Sequence, residues 1–175
     1  MPAEFGVPWR ERVLSVQISH PTGTIELHNT HVPPGASNGW TKIRHLEGLY
    51  RRLASPSMVP RLLVGDLNTP KYEHLDGAVE TWADKRDKRW DQGERNVLVG
   101  LAEHELADVY RSIHGYTVAG FSIVMRGTAR RYDHVFCSRS LRPVSAQYLH
   151  QHRESELSDH APILVDFALI APVPG

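Results

Sequence analysis

Carboxylates, amides and imidazoles gather at four places in this chain: His28-Asn29-Thr30-His31, Gly65-Asp66-Leu67-Asn68, Tyr132-Asp133-His134 and Ser158-Asp159-His160. Each lies in or next to an apolar run that reads as a β-strand. An ionisable group beside such a strand is costly unless it shares its site with water or a metal. Asp66 and Asn68 are two residues apart, so on an extended segment they point the same way. Both offer hard oxygen donors, suited to Mg²⁺ or Mn²⁺. An Asx turn closing the strand would use the same two side chains. Asp159 and His160 are adjacent and diverge on an extended backbone, so they suit two different neighbours, such as a metal and a phosphoryl oxygen. A capped turn before Pro162 is the plainer reading of that pair. Asp133 sits inside a strand and needs a partner. A histidine would suit it, because an Asp–His bond fixes the tautomer and raises imidazole basicity. Arg130 or Arg131 would serve equally as a salt-bridge partner. His31 ends its strand just before Pro33-Pro34, a place where a single histidine commonly marks a turn. His150 and His152 flank one glutamine and read as a solvated strand face. No histidine pair has zinc-helix spacing.

The elements that must position these groups follow from periodicity. Leu14, Val16 and Ile18 alternate over Arg12 to Ile18, and Thr24 to Val32 is the returning strand of a hairpin turned at His20-Pro21-Thr22-Gly23. Ser37 and Asn38 are candidate caps for a helix over Thr41 to Leu53, with Lys42, Arg44, Arg51 and Arg52 on its wet face. Leu62-Leu63-Val64 is a short, continuous apolar run that fits a strand buried on both faces. Lys71 to Gln92 is polar and mixed in charge, and reads as an irregular surface excursion. Glu94 to Glu103 is a second amphipathic helix, and Leu106 to Ile113 a further helical turn or two. Phe121–Val124, Tyr132–Phe136, Val144–Tyr148 and Ile163–Phe167 read as strands, with Arg126 to Arg131 a basic loop. This is one unit with helices packed on a mixed sheet.

Composition narrows the function classes. The chain has 175 residues with 20 basic against 20 acidic side chains, which excludes a highly basic nucleic-acid wrapper and an acidic tail protein. Hydrophobic residues at 41% suffice for a core. No apolar run approaches the roughly 20 residues of a membrane span. The single cysteine, Cys137, excludes an internal disulfide framework and a cysteine-rich zinc site. The expected setting is cytoplasmic.

In this order and at these separations, Asn29-Thr30-His31, Gly65-Asp66-Leu67-Asn68, Arg131-Tyr132-Asp133-His134 and Ser158-Asp159-His160-Ala161-Pro162 resemble the endonuclease/exonuclease/phosphatase family, and most of all its exonuclease III-like branch. Arg95 to Gly100, Leu106-Ala107-Asp108-Val109-Tyr110 and His114-Gly115-Tyr116 look like that branch's intervening segment. The resemblance runs from about Arg12 to Phe167. It implies an α/β (α+β) fold, a partial four-layer sandwich of mixed, mainly antiparallel sheets flanked by helices. It assigns residues 12–168 to the domain, 1–11 to an irregular N-terminal segment and 169–175 to a tail. It implies hydrolysis of phosphodiester or phosphomonoester bonds, in DNA or another phosphoester substrate, with Mg²⁺ or Mn²⁺. Carried over by position, Asp66 would orient or deprotonate the attacking water, and Asn68 would hydrogen-bond the phosphate. Asp159 would join Asp66 at the metal, His160 would act on the phosphoryl group, and Asp133 would hold its imidazole. His31 matches a position of acid or phosphate contact. Asn29, Arg126, Arg130 and Arg131 are further phosphate candidates.

Two parts of the family pattern lack a counterpart. The strand carrying an Asn, and the next one ending in a metal-binding Glu, belong upstream of the hairpin and are not found. This implies a C-terminal part of the domain, completed by a partner chain or left as a non-catalytic remnant. Two tryptophans usual in abasic-site nucleases are replaced by Ile123 and Arg130, so abasic-site specificity is not implied. A small-molecule or lipid phosphoesterase is the alternative on the substrate side.

Overall fold

A computed structural model describes residues 4–21, 23–83 and 87–168. Thr22 of the expected turn, the outer part of the N-terminal segment and the tail at 169–175 lie outside the described residues.

After a 3₁₀ turn at Arg10–Arg12, strands β1 (Val13–His20) and β2 (Gly23–His31) form the expected hairpin, in register from Val13 opposite Thr30 to His20 opposite Gly23. A short helix α1 (Gly35–Asn38) leads into α2 (Trp40–Leu53) and then strand β3 (Arg61–Asp66). Ser37 and Asn38 do not cap α2. They lie inside α1, where their side chains donate back to the Pro34 carbonyl, and Gly39 starts α2 without a side-chain cap.

The described residues of the 71–92 stretch are more ordered than its polarity suggests. They hold a small hairpin, β4 (Tyr72–Glu73) with β5 (Val79–Glu80), and the first turns of α3 (Lys88–Leu98). The helix starts at Lys88 because the Asp87 carboxylate accepts the Trp90 amide, an N-cap placed about two turns before Glu94, where the amphipathic pattern begins. A 3₁₀ turn follows at Gly100–His104, then β6 (Leu106–Asp108) and α4 (Val109–His114), so the expected helical turns at 106–113 are half strand. The chain continues through β7 (Ile123–Met125), β8 (Thr128–Arg130), β9 (Asp133–Ser138), β10 (Arg142–Tyr148), α5 (Gln151–Glu154) and β11 (Ile163–Ala168). The basic loop at 126–131 is therefore the turn and second strand of a hairpin.

The central sheet has the order β1-β2-β3-β9-β6, with β2 and β3 parallel and every other pair antiparallel. This is the mixed, mainly antiparallel sheet expected. One face carries Leu63, Phe136 and Leu106 and packs under α2 and α3, forming a core with Ile43, Leu46, Leu49, Leu53 and Val97. The opposite face carries Val135 and Cys137, and is covered on the β3–β9 side by α4 and the two-stranded β10–β11 sheet.

That second cover stops short. Leu14, Val16 and Ile18 pair across the hairpin with Asn29, Leu27 and Ile25 and so share one face, yet they are 59%, 38% and 41% exposed. Their alternation was legible as a strand, but its apolar side meets no covering element among the described residues. Among the described residues, β11 also pairs on one side only, with β10. No helix among the described residues is long and apolar enough to cross a membrane.

Candidate active site

The site is built where β2, β3 and β9 end together. Register sets His31 beside Asp66, and Asp66 beside Asp133, so three of the expected side chains form a row on one face of the sheet. Gly65 lets β3 pass this close to β2: a Cβ there would lie 1.9 Å from the Thr30 carbonyl oxygen, and the residue has φ +128°. The fourth group comes from the segment before β11. Ile123 bridges to His160, the Ala161 amide donates to the Ser122 carbonyl, and this latch brings His160 Nδ1 to 2.6 Å from Asp133 Oδ2. Of the partners open to Asp133 in the sequence, histidine and not arginine is the one realised.

Hydrogen bonds fix each member. The Asp66 carboxylate accepts the Asn68 amide at 2.7 Å and the Asn68 side-chain Nδ2 at 3.2 Å, while that Nδ2 also donates to the Val32 carbonyl at 2.8 Å. Asn68 has φ +51°, a left-handed conformation that Asn tolerates better than most residues. The Asx turn and the shared orientation of Asp66 and Asn68 are thus one arrangement. His31 Nε2 lies 3.7 Å from Asp66 Oδ2, and the Arg12 guanidinium donates to His31 Nδ1 at 3.1 Å. Ser122 Oγ accepts the amides of Tyr132 and Asp133, fixing the start of β9.

Electrostatics separates the two aspartates. Burial raises the Asp66 carboxyl above the usual carboxylate range, and the neighbouring Asp133 charge raises it further, against the Asn68 amide and the two histidines. Burial would raise Asp133 as well, but hydrogen bonds from His160 and Ser122 turn the net shift downward. His160 is pushed up, chiefly by its bond to Asp133 and against desolvation. The result is an ionised Asp133 holding an imidazole with enhanced basicity, facing a carboxylate whose negative charge is only partly compensated.

Other expected residues fall elsewhere. Asp159 is exposed beside His160, and Asn29 is exposed on the face shared with His31. Arg126 is exposed at the β7–β8 turn with φ +48°. Arg130 lies over the Trp82 ring, 4.8 Å from its centroid, and donates to the Lys71 carbonyl. Arg131 is buried between Glu73 (2.5 Å) and Asp108 (2.8 Å), so its charge is satisfied inside the protein and is not offered to a phosphate.

Sequence reasoning missed the supports beneath the site. Lys42, expected on the wet face of α2, is 1% exposed and donates to Glu94 at 2.6 Å and to the Asn68 carbonyl at 2.8 Å. Glu94, fully buried, also accepts from Thr69 at 2.6 Å, from the Trp82 amide at 2.8 Å and from the Trp90 indole at 2.9 Å. His134 donates through Nε2 to the Thr69 carbonyl at 2.9 Å, with Nδ1 3.4 Å from Asp108 Oδ2. The loop from Asp66 to Thr69 is thereby held from below. Only the position of His134, next to Asp133 and therefore on the opposite sheet face, was a signal available in the sequence.

Among the described residues, no group of three or more His, Cys, Asp or Glu side chains is gathered to hold a metal ion. The donors present still fit a hard cation that keeps most of its waters, since Mg²⁺ is commonly bound through one or two carboxylates plus substrate phosphate. The observation that favours such an ion is the place of the Asp66 carboxylate, at the ends of the strands, in register with Asp133 and 3.7 Å from His31.

No family model and no curated protein matches the chain. Solved structures do. An AP endonuclease from Archaeoglobus fulgidus superposes with a TM-score of 0.70 at 21% identity, over 94% of this chain and 70% of that one. The Neisseria 3′ phosphatase NExo, bound to a product DNA hairpin, gives 0.66 at 20%, over 93% and 66%. An endonuclease/exonuclease/phosphatase from Beutenbergia cavernae gives 0.61 at 22%, over 90% and 39%. The fold is that of the endonuclease/exonuclease/phosphatase proteins. The architecture implied by the sequence resemblance is therefore the architecture observed, and this chain spans between 39% and 70% of the length of these structures.

Proposed function

We propose that this chain carries the phosphoester-hydrolysing site of an endonuclease/exonuclease/phosphatase protein of the exonuclease III-like branch, acting on a phosphoester of DNA. The observation that carries the reading is the 2.6 Å Asp133–His160 contact set beside the Asp66–Asn68 pair on one row of strand ends. Phosphoryl transfer depends on positioning and charge stabilisation more than on covalent chemistry, and this arrangement supplies both. Asp66, with its raised carboxyl, orients the attacking water and accepts its proton. Asn68 Nδ2, which donates to the Val32 carbonyl and, at 3.2 Å, to Asp66 Oδ2, exchanges the longer of these bonds for one to a phosphoryl oxygen when substrate is bound. Asp133 keeps His160 oriented, and His160 donates from its free Nε2 to the oxygen on which charge develops. His31 stands at the open end of the row as a contact to the phosphate. A bound Mg²⁺ or Mn²⁺, held by Asp66 and Asp159, would neutralise phosphoryl charge.

DNA as the substrate is supported by the NExo structure, which holds a DNA hairpin, and by the AP endonuclease. Zero net charge makes the footprint local, so binding falls modestly with salt. The test is hydrolysis of a short DNA and of a small aryl phosphodiester, with Mg²⁺, with Mn²⁺ and with chelator. The reading expects metal-dependent cleavage that Asp66→Ala and His160→Ala each reduce about 10²–10⁴-fold. Full metal-dependent activity in both variants would refute the assignment. Cleavage of the small phosphodiester alone would move the substrate from DNA to the small-molecule or lipid class.

The exposed Leu14-Val16-Ile18 face and the one-sided β11 support a second reading, that a further polypeptide segment covers this side before the site works. Size-exclusion chromatography and a melt with and without Mg²⁺ separate the two. A monomer whose melting point rises with metal has a working site alone. An aggregate indifferent to metal needs the covering segment.

A further inference from the structure

Beside the Asp66–His160 row lies a pocket of about 320 Å³, lined by Pro34, Lys42, Asn68, Trp82, Trp90, Met125 and Tyr132 among others. Its size is that of a small-ligand site. Its chemistry is unlike the row next to it. Three aromatic side chains and a thioether face the space, while Lys42, the charged side chain on its wall, is committed to Glu94 and the Asn68 carbonyl. Apart from Asn68 at its edge, nothing here suits a phosphate. A flat apolar ring suits it well, because aromatic faces and polarisable sulfur both favour stacking.

The pocket is rigid where a stacking platform should be. The buried Glu94 carboxylate holds the Trp90 indole and the Trp82 backbone. Trp40 meets Trp90 edge to face at 5.5 Å, and the Arg130 guanidinium lies against the Trp82 ring. The same carboxylate, through Thr69 and Lys42, holds the loop that presents Asn68. Asn68 thus belongs to both places, hydrogen-bonded to Asp66 on one side and lining the pocket on the other.

We propose that this pocket takes the planar base of the nucleotide whose phosphate lies at Asp66 and His160, so that the protein selects a nucleotide with a base rather than a bare sugar phosphate. This deepens the phosphoesterase reading and rests on it for the phosphate. The base belongs either to a free mononucleotide or to a nucleotide unit of single-stranded DNA, the two sharing one chemistry.

The experiment is calorimetric binding of four probes to the intact chain: a nucleoside monophosphate, ribose 5-phosphate, the nucleoside alone and a short single-stranded oligonucleotide. The nucleoside monophosphate is expected to bind about tenfold more tightly than ribose 5-phosphate, the range of one base–aromatic stack. Trp82→Ala and, separately, Met125→Ala should erase that ratio and leave ribose 5-phosphate binding unchanged; both residues are partly exposed, so folding is checked by a melt. Equal affinity for the two phosphates, a ratio indifferent to both variants, or no binding of any base-containing probe overturns the proposal. Retention of the nucleoside with loss of the phosphate preference leaves the pocket standing and removes the phosphate site instead. An oligonucleotide bound more tightly than the mononucleotide identifies DNA as the source of the base, and the reverse order identifies free nucleotide.

Discussion

Two clusters of carboxylate, imidazole and cation flank β9, and neighbouring residues on that strand belong to different ones. Asp133 faces the open row with His160 and Asp66. His134 faces inward, toward a buried network in which Asp108 and Glu73 share Arg131 and Glu73 also meets Arg111 at 2.7 Å. In the inward network burial opposes ionisation, but the arginines win: Glu73 falls to about 2, and Asp108 lies well below the usual range. In the open row burial prevails at Asp66, whose carboxyl is raised. Residue types alike in the sequence thus divide by satisfaction. The satisfied cluster holds the fold, and the one with unspent charge is the one we propose meets a ligand.

The sharpest way to break this contrast is to remove one member from each side. Asp66→Asn should lower hydrolysis at least about 10²-fold yet leave the melting point unchanged or raised, because a carboxyl with a raised folded pKa weakens the fold at neutral pH. Arg131→Met should do the reverse to the fold, leaving Glu73 and Asp108 unpaired and lowering unfolding free energy by about 3–5 kcal/mol in a urea titration. If Arg131→Met melts like the parent, the inward network is not structural.

Acid sharpens the comparison further. Glu73 and Asp108 are lower in the folded protein than in the unfolded chain, so their stabilisation is complete above about pH 4.5 and is lost as pH falls toward 2. Unfolding monitored between pH 5 and 2 should show this loss, and Glu73→Gln should flatten it. The smallest effect belongs to the uncovered hairpin face. Leu14→Lys and Val16→Lys should change stability by no more than about 0.5 kcal/mol while reducing self-association in size-exclusion chromatography. A loss of several kcal/mol there would show that the face is covered in solution.

Much of the fold was legible because alternation and apolar runs report directly on strands. The hairpin of β1 and β2, the β3 strand and the last three strands all follow from it. Two features escaped for physical reasons. The start of α3 depends on the Asp87 cap, which precedes the apolar stripe. The burial of Lys42 depends on Glu94, 52 residues away, and hydropathy assigns a lysine to water unless its partner is known. Within the row, the sequence supplied the residue types, but the choice of His160 over Arg130 or Arg131 as the partner of Asp133 required the register of β9 and the Ser122–Ala161 latch.

The account turns on Asp133 and His160 acting as one unit on the phosphoryl group. A double-mutant cycle on kcat/KM with Mg²⁺ present, using Asp133→Asn, His160→Asn and the pair, tests it most directly. The account predicts that the double variant is no slower than His160→Asn alone, because Asp133 acts through that ring. Losses that simply multiply, or single variants as fast as the parent, would contradict it.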